Sequence, residues 1–160
     1  MFSDTRTPQK VLIIDDDRAV RLVLATILKK SGFDSVEAAD GAEGIAALSS
    51  HEPQCVLLDL KMPGMDGMEM LDAIKKLNPH IPVIIITGYA DVPTAVQAIK
   101  LGAYDFLTKP PGVDKLLLTI KRAVEAYSLK VAFNQLDESM LGSLESLFGR
   151  SDAMKNVISH

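Results

Sequence analysis

The residues of this sequence that could do chemistry stand where short apolar runs stop. Val11–Ile14 is followed by Asp15, Asp16 and Asp17, and Gln54–Leu58 by Asp59. Pro82–Ile86 is followed by Thr87, and Ala103–Leu107 by Thr108, Lys109 and Pro110. If these runs are strands of one parallel sheet, the polar groups gather beyond its carboxyl edge, where open sheets carry their sites. Three or four carboxylates brought to one point repel one another unless a cation offsets them. Hard oxygen ligands favour Mg2+ over softer metals. Carboxylates, a hydroxyl and a lysine around Mg2+ suit phosphoryl transfer.

Each group then has a task. Asp16 and Asp59 would bind the metal directly, and Asp15 would join them, acting through a water. The main-chain carbonyl of Lys61, two residues past Asp59, would supply another oxygen. Asp59 would be the nucleophile that accepts the phosphoryl group. Mg2+ and the Lys109 ammonium would neutralise charge on the phosphoryl oxygens. The Thr87 hydroxyl would hydrogen-bond one of them. An acidic run after a strand is often only a helix start, because carboxylates suit the positive end of the helix dipole. That explanation fits Asp17, a candidate N-cap. A single Asp or Lys-Pro at a strand end is weak; their joint placement, strand by strand, is specific.

Other reactive residue types carry no assignment. Cys55 lies inside an apolar run and reads as a small core residue. His51, His80 and His160 lack ligand spacing. Met62, Met65, Met68 and Met70 cluster around one loop and read as fillers of irregular space.

The elements that must position these groups alternate. After the first strand, Arg18–Ser31 has Val20, Leu24, Ile27 and Leu28 at helical spacing, and Gly32 stops it. Ser35–Ala39 is a weak second strand and Ala42–Ser49 a small second helix. A loop with Pro63, Gly64 and Gly67 leads to a third helix, Met68–Leu77. Pro93–Leu101 is the fourth helix, ended by Gly102, and a fifth starts near Val113 and runs long. Strand and helix signals in alternation predict an α/β domain with a parallel sheet. Right-handed crossovers then put helices on both faces. In the last helix Leu117, Ile120, Val124, Tyr127 and Val131 follow a 3-4-3-4 spacing. That spacing fits two uses: the early positions pack on the sheet, and beyond Tyr127 the seam seeks a coiled-coil partner.

Composition bounds the function classes. The chain has 160 residues, 48% of them hydrophobic, with a net charge of −4, which leaves no basic stripe for nucleic acid. Its one cysteine excludes a disulfide framework. The start MFSDTRTPQK lacks a signal-peptide pattern, and no apolar run is long enough for a bilayer. The expectation is a cytoplasmic protein without membrane contact.

The strings VLIIDDDRAVR, LLDLKMPGMDGMEML and VIIITGYADVPTAVQAIKLGAYDFLTKP resemble bacterial response-regulator receiver domains over roughly residues 10–128. The resemblance implies a flavodoxin-like, doubly wound five-stranded sheet of order 2-1-3-4-5 with five helices. It implies a histidine kinase as phosphodonor, with Mg2+ as cofactor. It makes Asp15 and Asp16 the acidic pair, Asp59 the phosphoacceptor, Thr87 the switch hydroxyl, Phe106 the switch aromatic and Lys109 the paired lysine, with a cis bond before Pro110. The stretch ADVPTAVQAIKLGAYDFLTKP looks more narrowly like receivers of the NtrC type, which precede an AAA+ ATPase that activates sigma-54 RNA polymerase. LFGRSDAMKNVISH looks like the start of that ATPase. Pro111 departs from the subfamily, which often has an aromatic there.

The expected organisation is a disordered tail at 1–9, a receiver at 10–128, a helical linker at 129–146 and the start of an AAA+ domain at 147–160. Phosphorylation would repack helix four, strand five and helix five. It would change a homodimer that continues through a seam of Ile120, Val124, Tyr127 and Val131. The fragment itself would not bind nucleic acid and would not be a turnover enzyme. Two rivals are a stand-alone phosphorelay carrier and a haloacid-dehalogenase-like phosphatase. The latter needs an Asp two residues after its nucleophile, where this chain has Lys61.

Overall fold

The structure is a computed structural model that describes residues 8–62, 64–88 and 91–148, without the side chains of Met65 and of 135–148. Most of the expected tail, Pro63, Tyr89, His160 and nearly all of the ATPase-like stretch therefore lie outside the described residues. The chain divides into two compact units, Met1–Tyr127 and Ser128–His160.

In the first unit five strands form one parallel sheet: β1 (Lys10–Ile14), β2 (Asp34–Ala38), β3 (Cys55–Leu58), β4 (Val83–Thr87) and β5 (Asp105–Thr108). Their order is β2-β1-β3-β4-β5, with parallel registers such as Ile14 opposite both Ala38 and Leu58. The connecting helices are α1 (Arg18–Lys30), α2 (Gly41–His51), α3 (Gly67–Leu77) and α4 (Val92–Lys100). The last helix, α5, spans Val113–Phe148.

The pleat sorts the side chains. In a strand, alternate residues point to opposite faces. Val11 and Ile13 of β1 pack with Leu24 and Leu28 of α1 and Leu116, Ile120 and Val124 of α5. Leu12 and Ile14 pack with residues of α2, α3 and α4, including Leu48, Leu71 and Ala98. Both faces are covered, which is why Val11–Ile14 of β1, all of β3 and Val83–Ile86 of β4 are apolar without alternation. Each fully buried Leu or Ile side chain contributes about 1.5–3 kcal/mol of transfer free energy.

The element boundaries follow local chemistry. Asp17, Asp40, Asp66 and Asp91 each cap a helix by accepting main-chain N–H groups of its first turn. Glu43 reaches back to the Ala39 N–H at 3.0 Å, so α2 begins earlier than its alanine run suggests. The loop expected after Asp59 contains a short antiparallel hairpin, Lys61–Met62 against Met65–Asp66. Gly67 starts α3 against the main chain of Leu60; a Cβ there would sit 2.6 Å from the Leu60 carbonyl oxygen. No side chain larger than hydrogen fits that approach.

The structure separates the two uses of the α5 spacing. Ile120 and Val124 are buried in the sheet core, so within this unit neither is presented to a partner. Tyr127 packs toward the opposite sheet face, and its hydroxyl accepts from Asn78 Nδ2 at 3.0 Å. In the second unit Val131 is half-buried, while Leu129 and Phe133 are exposed. The apolar surface left uncovered on the described part of the linker is therefore that of Leu129 and Phe133, not the Ile120–Val124 positions.

Candidate functional site

The carboxyl ends of β1, β3, β4 and β5 are held together by main-chain bonds that also place the polar residues. The Asp59 N–H donates to the Ile14 carbonyl at 3.0 Å, which sets the start of one acidic loop beside the other. The Asp15 N–H donates to Ala38 at 3.1 Å, and the Lys109 N–H to Thr87 at 3.0 Å. These bonds extend the parallel ladders by one residue past each strand. The functional side chains thus stand on the hydrogen-bonded edge of the sheet.

The side chains converge. Lys109 Nζ lies 2.8 Å from Asp15 Oδ2 and 2.9 Å from Asp59 Oδ2, bridging the two carboxylates. The other oxygen of each carboxylate is also engaged: Asp15 Oδ1 accepts from the Asp17 N–H at 2.9 Å, and Asp59 Oδ1 from the Lys61 N–H at 3.1 Å. Asp15 and Asp59 are buried and Asp16 is exposed. One ligand oxygen from each of Asp15, Asp16 and Asp59 lies within 4.8 Å of the others. Burial disfavours the Lys109 charge, but the hydrogen bonds and negative charges of Asp15 and Asp59 outweigh it and hold the ammonium above the usual lysine value.

Thr87 is fully buried at the end of β4, beside Thr108 in the β5 register. Phe106 is half-buried and packs on the α2–α4 side of the sheet. The Lys109–Pro110 bond is cis. Asp17 turns away from the cluster to cap α1, accepting from Ala19 N–H at 2.9 Å. Cys55 is wholly buried, and burial pushes its thiol up to about 12.

The donor set fits a hard divalent cation: all carboxylate oxygens, from the loops that follow the adjacent strands β1 and β3. Each buried carboxylate oxygen carries one hydrogen bond and keeps a second lone pair for a metal or a phosphoryl group. The bridging ammonium is what balances the acidic residues in the arrangement described here.

One participant escapes a reading by strand ends. Arg21, on the first turn of α1, donates from Nη1 to the Asp15 carbonyl at 2.7 Å and from Nε to Glu37 at 3.2 Å. A residue six positions beyond Asp15 gives no sign of this in spacing; only the approach of β2 to β1 brings Glu37 within reach.

Comparison with known proteins places this geometry. The response regulator receiver domain family matches residues 11–121. A response regulator described as NtrX-like from Rickettsia bellii is 44% identical over 122 residues, covering 75% of this chain and 26% of that protein. The DNA-binding transcriptional regulator NtrC of Salmonella typhimurium is 35% identical over 147 residues, covering 92% of this chain and 31% of its own length. Among solved structures, a CheY-like receiver domain protein from Methanospirillum hungatei superposes with a TM-score of 0.73 at 31% identity, covering 78% of this chain and 99% of that one. The chain thus spans 26–31% of the length of these two regulators and 99% of that receiver domain protein. With the family matched over most of its length and the acidic cluster at the expected edge of the sheet, this chain belongs to the response regulator receiver domains, and its relatives are of the NtrC and NtrX type.

Proposed function

We propose that this chain is the phosphorylatable input module of an NtrC-type regulator, with Asp59 accepting a phosphoryl group from a phosphohistidine of a sensor histidine kinase. The observation that carries the reading is the lysine bridge: one ammonium spans Asp15 and Asp59, with Asp16 alongside. That arrangement holds an acceptor carboxylate, an acidic pair and a cation ready for a new set of negative oxygens.

Asp59 attacks phosphorus with an oxygen lone pair, and a P–O bond forms. The P–N bond to the donor imidazole breaks, and that nitrogen keeps the electron pair and takes a proton. Lys109 leaves its two-carboxylate bridge to meet a phosphoryl oxygen. The Thr87 hydroxyl donates to another, and Phe106 fills the space that Thr87 vacates. Asp15, Asp16, Asp59 and the Lys61 carbonyl would hold Mg2+, which would supply positive charge to offset the phosphoryl oxygens. Asp59 is an acceptor, not a turnover catalyst.

The output follows from where the switch residues sit. Phe106 is on β5, between α4 and α5, and a change there reaches the α4–β5–α5 face. Val92, Val96, Ile99 and Tyr104 leave apolar surface exposed on that face. A homodimer through this face and the linker would pass the signal to an AAA+ domain in the same polypeptide and so to sigma-54 transcription. The module acts in the cytoplasm, without membrane contact or nucleic-acid binding of its own; no helix among the described residues is long and apolar enough to cross a membrane.

The test is incubation with a small phosphodonor and Mg2+, followed by intact mass. The expected result is a gain of about 80 Da, one phosphoryl group, absent in Asp59→Asn and absent with chelator. Beryllofluoride with Mg2+ should change the oligomeric state of the unsubstituted protein. An equal change in Asp59→Asn would sink the switch.

A further inference from the structure

The β1–α1 loop carries two of the three acidic residues, and its anchors run to one place. The Asp15 N–H donates to Ala38 of β2 at 3.1 Å. The Asp15 carbonyl accepts from Arg21 Nη1 at 2.7 Å, and Arg21 Nε pairs with Glu37 Oε1, also of β2, at 3.2 Å. The Arg21 side chain is only 13% exposed, against 41% for Glu37. Both ends of the Asp15 residue are thus tied to the edge strand of the sheet. The Asp15 carbonyl belongs to the peptide plane that leads into Asp16, so holding that oxygen sets the direction in which Asp16 leaves. Asp16 is exposed, and among the described residues none hydrogen-bonds its side chain. Its place near Asp15 and Asp59 is therefore inherited from the backbone that Arg21 holds.

We propose that Arg21, braced by Glu37, is a positioning residue for the acidic metal site, orienting Asp16 through the Asp15 carbonyl. The inference rests on the metal reading of the acidic cluster. Charge and geometry predict opposite signs, which makes it decidable. A guanidinium near a cation site repels the cation, so by charge alone its removal should tighten metal binding. Losing the clamp lets the loop relax and should weaken it. Groups that hold metal ligands in place typically change affinity about 10–100-fold when removed. Arginine suits the task because its planar fork serves two acceptors at once, whereas a lysine ammonium cannot span both in the same geometry.

The experiment is calorimetric titration of the full chain with Mg2+ alone, on wild type, Arg21→Lys, Arg21→Met and the double variant R21M/E37Q, which removes the pair without changing net charge. The expected result is a loss of about ten-fold in Mg2+ affinity in all three, with melting temperatures in chelator close to wild type. Phosphorylation by a small donor should need correspondingly more Mg2+ for half-maximal rate, and the rate at saturating Mg2+ should return to near wild type. Unchanged or tighter Mg2+ binding in Arg21→Met and R21M/E37Q would overturn the role of Arg21 while leaving the metal site standing. Absence of Mg2+ binding by the wild type would overturn the metal reading, and the inference with it. If Arg21→Met melts much lower in chelator, the comparison rests on Arg21→Lys, where full retention of affinity refutes the clamp.

Discussion

At the scale of single residues, Lys109 is the balance point of the site. Its ammonium sits under 3 Å from both buried carboxylates. A cation held by the acidic cluster would compete with Lys109 for the same oxygens. Replacing it by Met should therefore cost on the order of 1–3 kcal/mol in chelator, less than a fully buried pair because the lysine is partly exposed. The same variant should gain more thermal stability from added Mg2+ than wild type does, read by melting curves with and without the ion. The alkaline side of the stability profile has a defined sign. Lys109 and Cys55 both have folded values raised above their ordinary 10.5 and 9.0. Their contributions are complete below those ordinary values and are lost as pH rises through the folded ones. Stability should thus begin to fall above about pH 9, first through Cys55, whose thiolate is accessible only to the unfolded chain. A thiol reagent at about pH 8 should label Cys55 no faster than the protein unfolds; rapid labelling of the native protein would contradict its burial.

At the scale of elements, the loop after β3 is held by packing as much as by hydrogen bonds. Gly67 touches the main chain of Leu60, next to Asp59. Gly67→Ala must push backbone and not a pliable side-chain tip. The expected cost is about 1–3 kcal/mol in urea unfolding, with slower phosphoryl uptake because the Asp59–Lys61 turn shifts. Helix α5 offers a contrast. Its early apolar positions are consumed by the sheet, and Tyr127 is fastened to Asn78 at the end of α3. Tyr127→Phe removes that hydrogen bond and should cost about 1 kcal/mol, with the acceptor chemistry unchanged.

At the scale of the whole molecule, the unit boundary at Tyr127 and Ser128 falls inside one helix. The core, the acidic site and the sheet all belong to the first unit. A chain ending at Tyr127 should therefore fold, bind Mg2+ and accept a phosphoryl group on Asp59. It should lose whatever self-association depends on Leu129 and Phe133, exposed apolar residues of the described part of the linker. Sedimentation of the two lengths, with and without beryllofluoride, measures that difference. Equal association by both would exclude Leu129 and Phe133 as the contact between copies.

The sequence by itself determined the alternation of strands and helices, because strands covered on both faces are apolar throughout and cannot be mistaken for surface. It also determined which residues stand at the carboxyl edge of the sheet: a polar residue at the end of a buried strand has only that edge to occupy, as Asp15, Asp59, Thr87 and Lys109 do. The alanine run put the start of α2 at Ala42, and the Asp40 cap starts it at Gly41. Tertiary structure alone decided the rest. The helical period of Ile120, Val124 and Tyr127 is the same whether the face meets a sheet or a partner, and only the packed fold assigns the first two to the sheet. The Gly67–Leu60 contact and the reach of Arg21 from the Asp15 carbonyl to Glu37 join residues whose nearness depends on how strands pair. Spacing along a chain carries periodicity; it does not carry the distance between two elements that meet only when the sheet has formed.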